Sequence, residues 1–283
     1  MSQLIDGKAR AKEIREGLKS EVLALKAKGV DPKLSVILVG DDPASNIYVS
    51  NKEKACADVG IISDSHRLPA TTKESDLIKL VQKLNNDKKT HGILVQLPLP
   101  EGLSEEKIVN GISQFKDVDG LGIQNSGLLI KGEGNPLVPC TPQGVIDLIK
   151  STGMQIKGKR AVVVGRSNLV GKPAAILLLS EHATVTICHS RTVDLGSVTR
   201  EADILVAAIG KPKMITKEMV KPGAVVIDVG TVRTSEGLSG DVDFQNVKDV
   251  AGFITPVPGG VGPMTIAMLL KNTIKAAKLQ NNF

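Results

Sequence analysis

Aromatic residues are scarce in this sequence, whose 283 residues include no tryptophan, one tyrosine and four phenylalanines. A protein that binds single-stranded nucleic acid usually stacks the bases on aromatic side chains, and this chain lacks such a platform. The net charge of +6 comes from basic residues interspersed with acidic ones, without a run of five or more lysines or arginines. These features argue against a nucleic-acid partner and favour sites for small anions.

Cysteines and long apolar runs are also scarce. Cys56, Cys140 and Cys188 are widely spaced and odd in number, which argues against a disulfide scaffold and for the reducing cytoplasm. Adjacent residues in a strand point to opposite faces, so Cys188 and His189 do not suggest a metal site, and we expect no metal. Cys140 is expected to be a buried, inert thiol. No apolar run reaches the roughly 18 residues of a membrane span, so no membrane partner is expected.

Strand and helix patterns alternate along the first half of the chain. This alternation predicts an α/β fold with a parallel sheet. The predicted elements are a helix from Lys8 to Lys28, a strand from Leu34 to Val39, a helix that ends at Gly60, a strand from Ile61 to Leu68, a helix from Thr71 to Asn86, a strand from Gly92 to Gln96 and a helix from Ser104 to Asn110.

Tyr48 and Lys52 lie four residues apart in the helix that ends at Gly60, so they share one face. A phenol beside an amine is a workable acid/base pair when burial or a neighbouring group lowers the pKa of the lysine. The pair follows a strand, at the edge where open α/β sheets bind their ligands. The alternative is a solvated lysine beside a tyrosine in an interface, because this spacing is a weak signal.

Gln96 ends the third predicted strand, near the expected position of Lys52. Its amide is suited to a substrate or to the lysine amine, or alternatively to backbone groups at the strand end. Asp117 and Asp119 follow in a loop. Loop acids are commonly turn formers, but a carboxylate aimed into a cleft also suits a ligand with paired N–H groups.

The second half begins a new pattern. Asn125 to Pro139 is rich in glycine, asparagine and proline and is predicted to be the crossing between two domains, after which Thr141 caps a helix. The order that follows predicts a βαβαβ dinucleotide-binding unit. Its strands are Ala161 to Val164, Ala183 to Cys188, Asp203 to Ile209 and Ala224 to Val229.

The glycine loop of this unit departs from G-x-G-x-x-G, since Arg166 and Ser167 stand between Gly165 and Gly171. It keeps a tight turn and a helix N-terminus that can face phosphate. After the second strand, an NAD site usually offers an acid, whereas this chain offers Ser190 and Arg191. A hydroxyl and a guanidinium suit a 2′-phosphate, which predicts NADP; the alternative is an exposed loop arginine.

Prolines and glycines are concentrated from Thr255 to Thr265, around Pro258 and Gly259. We expect a rigid loop that lines a cleft and brings its backbone close to a ligand.

Eight stretches, in this order, resemble the bifunctional methylenetetrahydrofolate dehydrogenase/cyclohydrolase (FolD) family across nearly the whole chain. They are YVSNKEKA, HGILVQLPLP, KDVDG, PCTPQG, VVVGRSNLVGKP, TVTICHSRT, DVG and TPVPGGVGPMT. The resemblance implies NADP-linked oxidation of 5,10-methylenetetrahydrofolate and hydrolysis of the methenyl product to 10-formyltetrahydrofolate. This is one-carbon metabolism, which serves purine and amino-acid biosynthesis.

The resemblance also implies two α/β domains with a cleft between them, and a cytoplasmic homodimer formed through the cofactor domain. Residues 1–140 would form the catalytic, folate-binding domain, joined by the C-terminal helix 266–283. Residues 141–265 would form a Rossmann-type NADP-binding domain.

Roles for single residues follow from the same resemblance. Lys52 would be the main catalytic residue of the hydrolytic step, held and kept neutral by Gln96, while Tyr48 stacks on the folate and Asp119 grips its pterin ring. Pro258 and Gly259 would line the substrate site. The NADP site would comprise Gly165, Arg166, Ser167, Ser190, Arg191 and Thr231.

Two stretches depart from the family pattern. Leu121-Gly122-Ile123 stand where the family usually has Phe-His-Pro, and Thr231-Val232 stand where it commonly has Ile-Asn. Neither departure removes a reacting group, so both activities are expected.

Two other functions fit parts of the sequence. A short-chain dehydrogenase also pairs Tyr-x-x-x-Lys with a nicotinamide cofactor, but there the pair follows the glycine loop, whereas Tyr48 precedes Gly165 by a full domain. A non-catalytic nucleotide-binding protein would keep the cofactor loop without needing Lys52 and Gln96 at one pocket.

Overall fold

The computed structural model describes residues 2–235 and 237–283, which form two compact units. We call one the three-stranded unit; it comprises Glu13–Cys140 and Ile266–Phe283. The other, the six-stranded unit, comprises the chain up to Lys12 and Thr141–Thr265. None of the described helices has the length and apolar character that a membrane span requires.

Helices and strands alternate along the chain as the sequence predicts. The first half contains β1 (Gln3–Leu4), α1 (Gly7–Lys26), β2 (Lys33–Val39), α2 (Pro43–Val59), β3 (Ile62–Leu68), α3 (Glu74–Asn86), β4 (Gly92–Val95), α4 (Glu105–Asn110) and α5 (Ile123–Lys131). The second half contains α6 (Cys140–Ser151), β5 (Arg160–Val164), α7 (Gly171–Ser180), β6 (Thr184–Cys188), α8 (Leu195–Thr199), β7 (Ile204–Ala207), a 3₁₀ turn (Lys217–Met219), β8 (Val225–Asp228), β9 (Val232–Thr234), β10 (Gly237–Ser239), α9 (Phe244–Val247), β11 (Phe253–Ile254) and α10 (Val261–Gln280).

The sheet of the three-stranded unit is parallel, with the strand order β3-β2-β4. Strand β2 lies in the middle and is buried from Leu34 to Val39, which explains why Ser35 is the one polar residue in this stretch. The segment that contains Asp117 continues the sheet beside β4, because the Ile93 N–H donates to the Lys116 carbonyl at 2.7 Å and Ile93 bridges Asp117 in parallel. This register carries the chain that follows Asp117 toward the carboxyl end of β4.

The sheet of the six-stranded unit is also parallel, in the order β1-β11-β8-β7-β5-β6. Val164, Ala207 and Asp228 are paired in register near the carboxyl ends of β5, β7 and β8. The loops after these strands therefore lie along one edge of the sheet, where doubly wound folds bind their ligands. The predicted dinucleotide-binding topology is confirmed.

The compact units divide the chain differently from the predicted domains at the N-terminus. The prediction places residues 1–12 in the first domain, whereas the chain up to Lys12 belongs to the six-stranded unit. The reason is β1, which pairs with β11: Gln3 is opposite Phe253 and Leu4 is opposite Ile254. A two-residue strand leaves no periodic signal in the sequence.

The segment from Asn125 to Pro139, predicted to be the crossing between the domains, lies within the three-stranded unit, and its first part belongs to helix α5 (Ile123–Lys131). Asn125 is 2% exposed, its amide donating to the Gln114 carbonyl and the Asp117 carboxylate, both at 3.0 Å. The asparagine that suggested a loop is therefore a buried contact of a helix.

Two helix boundaries differ from the predictions. Helix α6 begins at Cys140, so Thr141 is not its cap, and the Thr141 hydroxyl instead hydrogen-bonds the Thr265 hydroxyl at 2.9 Å. The last helix begins at Val261 rather than near Ile266, which makes the final part of the predicted proline-glycine loop helical.

Candidate active site

Lys52 is carried by α2, whose ends are well defined. Asp42 caps the helix by accepting a hydrogen bond from the Ser45 N–H at 2.7 Å, and Pro43 occupies the first turn. Gly60 ends it in the left-handed conformation, with φ of +85°. The predicted helix is confirmed, and its regular geometry places Tyr48 one turn before Lys52 on the same face.

Gln96 fixes the position of the Lys52 amine. The Lys52 Nζ donates to the Gln96 Oε1 at 2.8 Å, while the Gln96 Nε2 donates to the Leu97 carbonyl at 2.6 Å. The Gln96 backbone N–H donates to the Ile37 carbonyl at 2.9 Å and continues the sheet pairing beyond β4. Gln96 therefore contacts backbone groups and binds the lysine at the same time, so the contact with the lysine and the contact with the strand end, given as alternatives from the sequence, both occur.

The surroundings of Lys52 favour its neutral form. Burial of the amine lowers the pKa of Lys52, and the charge of Asp119 opposes this effect by raising it. Burial outweighs the carboxylate, so the pKa of Lys52 lies below the ordinary lysine value. Because its pKa is lowered, the Lys52 amine stays neutral, and so able to accept a proton, at a lower pH than a solvated lysine.

The two acids of the Lys116–Gly120 loop have different environments. Asp117 is 1% exposed and accepts hydrogen bonds from the backbone N–H groups of Leu121 at 3.2 Å and Gly122 at 2.8 Å. Burial raises the pKa of Asp117, and its oxygens are occupied by the loop, so it is a structural acid. Asp119 is only partly buried and interacts electrostatically with Lys52.

Gly120 allows the Asp119 loop to pack closely. Its φ is +69°, and a Cβ at this position would lie 2.6 Å from the Leu137 carbonyl oxygen. Both features exclude a side chain, so Gly120 sets the direction of the chain directly after Asp119.

Cys140 lies close to this group, a location that the sequence reasoning missed. The thiol is 1% exposed and donates to the Val118 carbonyl at 3.3 Å. Burial, followed by the charge of Asp119, raises the pKa of Cys140 well above the ordinary thiol value. It is a buried thiol, as expected, but the only sequence signal for its proximity to Asp119 is its place in the PCTPQG stretch.

Tyr48 has no comparable network. Its side chain is 48% exposed, and within residues 2–235 and 237–283 its hydroxyl makes no hydrogen bond. The structure thus brings Lys52, Gln96 and Asp119 together and leaves the phenol ring of Tyr48 accessible to a flat ligand.

In the six-stranded unit, the glycine loop after β5 requires glycine at two positions. Gly165 has φ of +138°, and a Cβ there would lie 2.1 Å from the Ala208 carbonyl oxygen. At Gly171, a Cβ would lie 2.2 Å from the Gly165 carbonyl oxygen. Ser167 shapes the turn between them, since its Oγ accepts from the Val170 N–H at 3.2 Å and the Gly171 N–H at 3.3 Å.

Exposed cations surround this loop. Arg166 is exposed beside Gly165, and Ser190 and Arg191 are exposed after β6. His189 and Thr192 hold the second turn, because the His189 N–H donates to the Thr192 Oγ1 at 2.9 Å. Neither arginine forms an ion pair with a carboxylate in the part of the chain that the structure describes. Both guanidinium groups are available to an anion.

The loop after β8 is held by a buried acid. Asp228 is 3% exposed and accepts hydrogen bonds from the N–H groups of Gly230 at 3.0 Å, Asp241 at 2.9 Å and Val242 at 2.9 Å. Burial raises the pKa of Asp228 to about 6. The aspartate of the DVG stretch therefore organises the loop, and Thr231, which follows it, is exposed.

Pro258 and Gly259 also belong to the six-stranded unit. Pro258 is exposed, and Gly259 has φ of +106°. The Gly259 carbonyl accepts a hydrogen bond from the Lys8 N–H at 3.0 Å, which fixes this turn. No group of three or more histidine, cysteine, aspartate or glutamate side chains that could hold a metal ion occurs among residues 2–235 and 237–283.

Two known family domains match the two parts of the chain that carry these groups of residues. Residues 5–119 match the catalytic domain of tetrahydrofolate dehydrogenase/cyclohydrolase, and residues 139–281 match the NAD(P)-binding domain of the same enzymes. The chain belongs to the tetrahydrofolate dehydrogenase/cyclohydrolase family. Lys52, Gln96 and Asp119 all lie within the part that matches the catalytic domain of this family.

Similar proteins within this family match along their whole length. The bifunctional protein FolD of Moorella thermoacetica is 58% identical over 278 residues, which cover 98% of this chain and 99% of that protein. The crystal structure of the Campylobacter jejuni FolD enzyme is 47% identical, covers 100% of both chains and has a TM-score of 0.97. The Trypanosoma brucei FolD structure, complexed with NADP cofactor and inhibitor, is 42% identical, with a TM-score of 0.94 and coverage of 100% of this chain and 99% of that one.

Proposed function

We propose that this chain is the bifunctional enzyme that oxidises 5,10-methylenetetrahydrofolate to the methenyl compound with NADP and hydrolyses that product to 10-formyltetrahydrofolate. The observation that supports the proposed hydrolysis is the 2.8 Å hydrogen bond from the Lys52 amine to the Gln96 Oε1, together with the lowered pKa of Lys52. The family supplies the identity of the folate substrate.

Lys52 acts as the proton acceptor when water attacks the methenyl carbon. A neutral amine that donates one N–H to the Gln96 Oε1 keeps its lone pair free for this proton. Asp119 stabilises the ammonium form that results, because its charge raises the pKa of Lys52. Gln96 is the orienting group, and its own amide is held by the Leu97 carbonyl.

The folate is bound by groups around this lysine. Tyr48 offers an exposed aromatic face for stacking, and the partly buried carboxylate of Asp119 accepts paired N–H groups of the pterin ring. Pro258 and Gly259 are two further residues that we propose to contact the substrate. Asp117 takes no part in binding, since its oxygens are used within the loop.

NADP fits the loops of the six-stranded unit. The absence of a Cβ lets Gly165 pack against the Ala208 carbonyl and Gly171 against the Gly165 carbonyl. Helix α7 begins at Gly171, so its N-terminus lies at this turn. Gly165 and Ser167 hold the phosphate bridge, Thr231 contacts the cofactor from the loop after β8, and Arg166, Ser190 and Arg191 bind the 2′-phosphate. When bound, NADP supplies the acceptor for the hydride that leaves the substrate.

A homodimer forms through the six-stranded unit. Strand β6 is the last strand of its sheet and exposes Ile187 at 43%, while the helix before it exposes Leu179 at 58% and the loop after it exposes Val193 at 88%. An apolar sheet edge of this kind is commonly covered by a partner. The dimer works in the cytoplasm, where its product supplies purine and amino-acid biosynthesis.

The direct test follows absorbance while the purified protein is incubated with 5,10-methylenetetrahydrofolate and either NADP or NAD. We expect NADPH to form faster than NADH, and methenyltetrahydrofolate added alone to disappear by hydrolysis. Reduction of NADP without hydrolysis of methenyltetrahydrofolate would refute the bifunctional assignment. Absence of both reactions would refute the function.

A further inference from the structure

The three-stranded unit contains a buried asparagine that has none of the roles proposed above. Asn272 lies on α10 and is 1% exposed. Its Nδ2 donates to the backbone carbonyls of Val118 and Val138, each at 2.8 Å. A buried amide that bridges two distant segments restrains both of them, because loss of the contacts would deprive the carbonyls of a donor.

The two segments that Asn272 joins lie on either side of Asp119. Val118 immediately precedes Asp119. On the other side, Gly120 packs so closely against residues 137–139 that a Cβ there would lie 2.6 Å from the carbonyl carbon of Val138. Asn272 thus restrains both the residue before the carboxylate and the backbone against which the residue after it rests.

Cys140 contributes to the same contact. Its thiol donates to the Val118 carbonyl at 3.3 Å and lies 3.6 Å from the Asn272 Nδ2. Burial and the charge of Asp119 keep the pKa of Cys140 high, so the thiol remains a donor. Two buried groups therefore converge on the carbonyl of the residue next to Asp119.

We propose that Asn272 is a positioning residue for the folate reaction, which holds Val118 and Val138 so that the Asp119 carboxylate meets the substrate in its binding orientation. This inference rests on the proposed role of Asp119. Asn272 is enclosed by the protein and acts through the loop, so its loss affects folate binding and leaves NADP binding unchanged.

The chain provides a matched control at the next residue. Thr273 is 0% exposed, and its hydroxyl donates to the Leu269 carbonyl at 2.8 Å within the helix. Thr273→Val removes a buried hydrogen bond of α10 without touching the Asp119 loop. Asn272→Leu removes the bridging donor and keeps the same number of side-chain heavy atoms in a bulkier group, and Asn272→Ala is the smaller replacement should the leucine variant fail to fold.

The variants are compared by steady-state kinetics and by hydrogen exchange of residues 116–122, measured by mass spectrometry. We expect Asn272→Leu or Asn272→Ala to raise the KM for methylenetetrahydrofolate about tenfold and to leave the KM for NADP within about twofold. Exchange of residues 116–122 should become faster in these variants and remain unchanged in Thr273→Val.

Three results would overturn the positioning role: a lower melting temperature with an unchanged folate KM, an equal rise of both KM values, or unchanged exchange of residues 116–122. A wild-type protein without either activity would refute the proposed function instead. The exchange measurement does not depend on activity, so it would still decide whether Asn272 restrains the loop.

Discussion

At the scale of single residues, the proposed role of Lys52 in hydrolysis depends on the balance of influences on its amine. Burial lowers the pKa of Lys52, Asp119 raises it, and Gln96 holds the amine without adding charge. An uncharged partner matters here, because a carboxylate at the position of Gln96 would favour the ammonium form, which cannot accept a proton. The choice of glutamine over glutamate thus has a direct consequence for the reaction.

Replacing the amine should separate hydrolysis from cofactor binding. We expect Lys52→Ala to reduce the hydrolysis of methenyltetrahydrofolate by about a hundredfold or more, the typical contribution of a general base. The Kd for NADPH, measured by calorimetry, should stay unchanged. Lys54→Ala is the matched control, since Lys54 is an exposed lysine of the same helix. Hydrolysis retained in Lys52→Ala would exclude the lysine from the reaction.

The pH dependence of hydrolysis should report the pKa of Lys52. The neutral amine is the active form, so kcat/KM should rise with pH through a pKa below the ordinary lysine value. Gln96→Glu places a carboxylate where Oε1 now lies 2.8 Å from Nζ, which raises that pKa and shifts the profile to higher pH. A profile that does not move, or moves to lower pH, would contradict the role of Lys52 as base.

Arg191 should determine the preference for NADP over NAD. Its exposed guanidinium has no acidic partner in the described part of the chain, so the 2′-phosphate is the group that it would bind. We expect Arg191→Ala to weaken NADP binding by about tenfold or more and to leave NAD binding nearly unchanged. Lys217→Ala, which removes another exposed cation of the same unit, is the control. If NADP binding and NAD binding weakened equally, Arg191 would not be the residue that recognises the 2′-phosphate.

At the scale of elements, short loops after parallel strands position the reactive groups. The loop after β5 depends on Gly165 and Gly171, and the loop after β8 depends on the buried carboxylate of Asp228. In the three-stranded unit, Gln96 follows β4 directly and Asp119 follows a segment paired with it. In each case the geometry of the sheet determines where the next few residues lie.

A methyl group at Gly165 should damage the cofactor loop. The Cβ of an alanine would lie 2.1 Å from the Ala208 carbonyl oxygen at a φ of +138°. We expect Gly165→Ala to lower the free energy of unfolding by roughly 2 kcal/mol and to abolish the thermal stabilisation that NADP provides. Gly17→Ala in α1 is the control, because no atom lies within 4 Å of the added Cβ. Normal NADP binding by Gly165→Ala would contradict the assignment of this loop.

The elements also show which predictions the sequence supported. The buried strand β2 and the helix α2 have strong local signals: β2 is almost wholly apolar, and α2 begins with a proline and ends at a glycine. Helix α5 was missed because its first half contains asparagine and glycine residues typical of loops, one of which, Asn125, is buried against Asp117. Strand β1 was missed because its order comes from distant partners, Phe253 and Ile254. Local propensity cannot reveal a contact made by residues far along the chain.

At the scale of the whole molecule, the exposed edge of β6 should govern association. We expect the wild-type protein to elute as a dimer in size-exclusion chromatography with light scattering, and Ile187→Asp to shift it to a monomer, because a charge opposes burial of this edge. Ile62→Asp is the matched control: Ile62 is 46% exposed and begins β3, the edge strand of the other unit. A wild-type monomer would refute the proposed dimer, and a dimeric Ile187→Asp would place it elsewhere.

Sequence alone was enough to predict the alternation of strands and helices, the dinucleotide-binding topology and the family, because these follow from local periodicity and from motifs that occur in order. Only the folded chain shows that backbone donors occupy the Asp117 oxygens, that Cys140 and Asn272 converge on Val118, and that the residues up to Lys12 join the six-stranded unit. Burial and hydrogen-bond partners depend on residues brought together by folding, and without them only the family resemblance distinguishes Asp119 from Asp117.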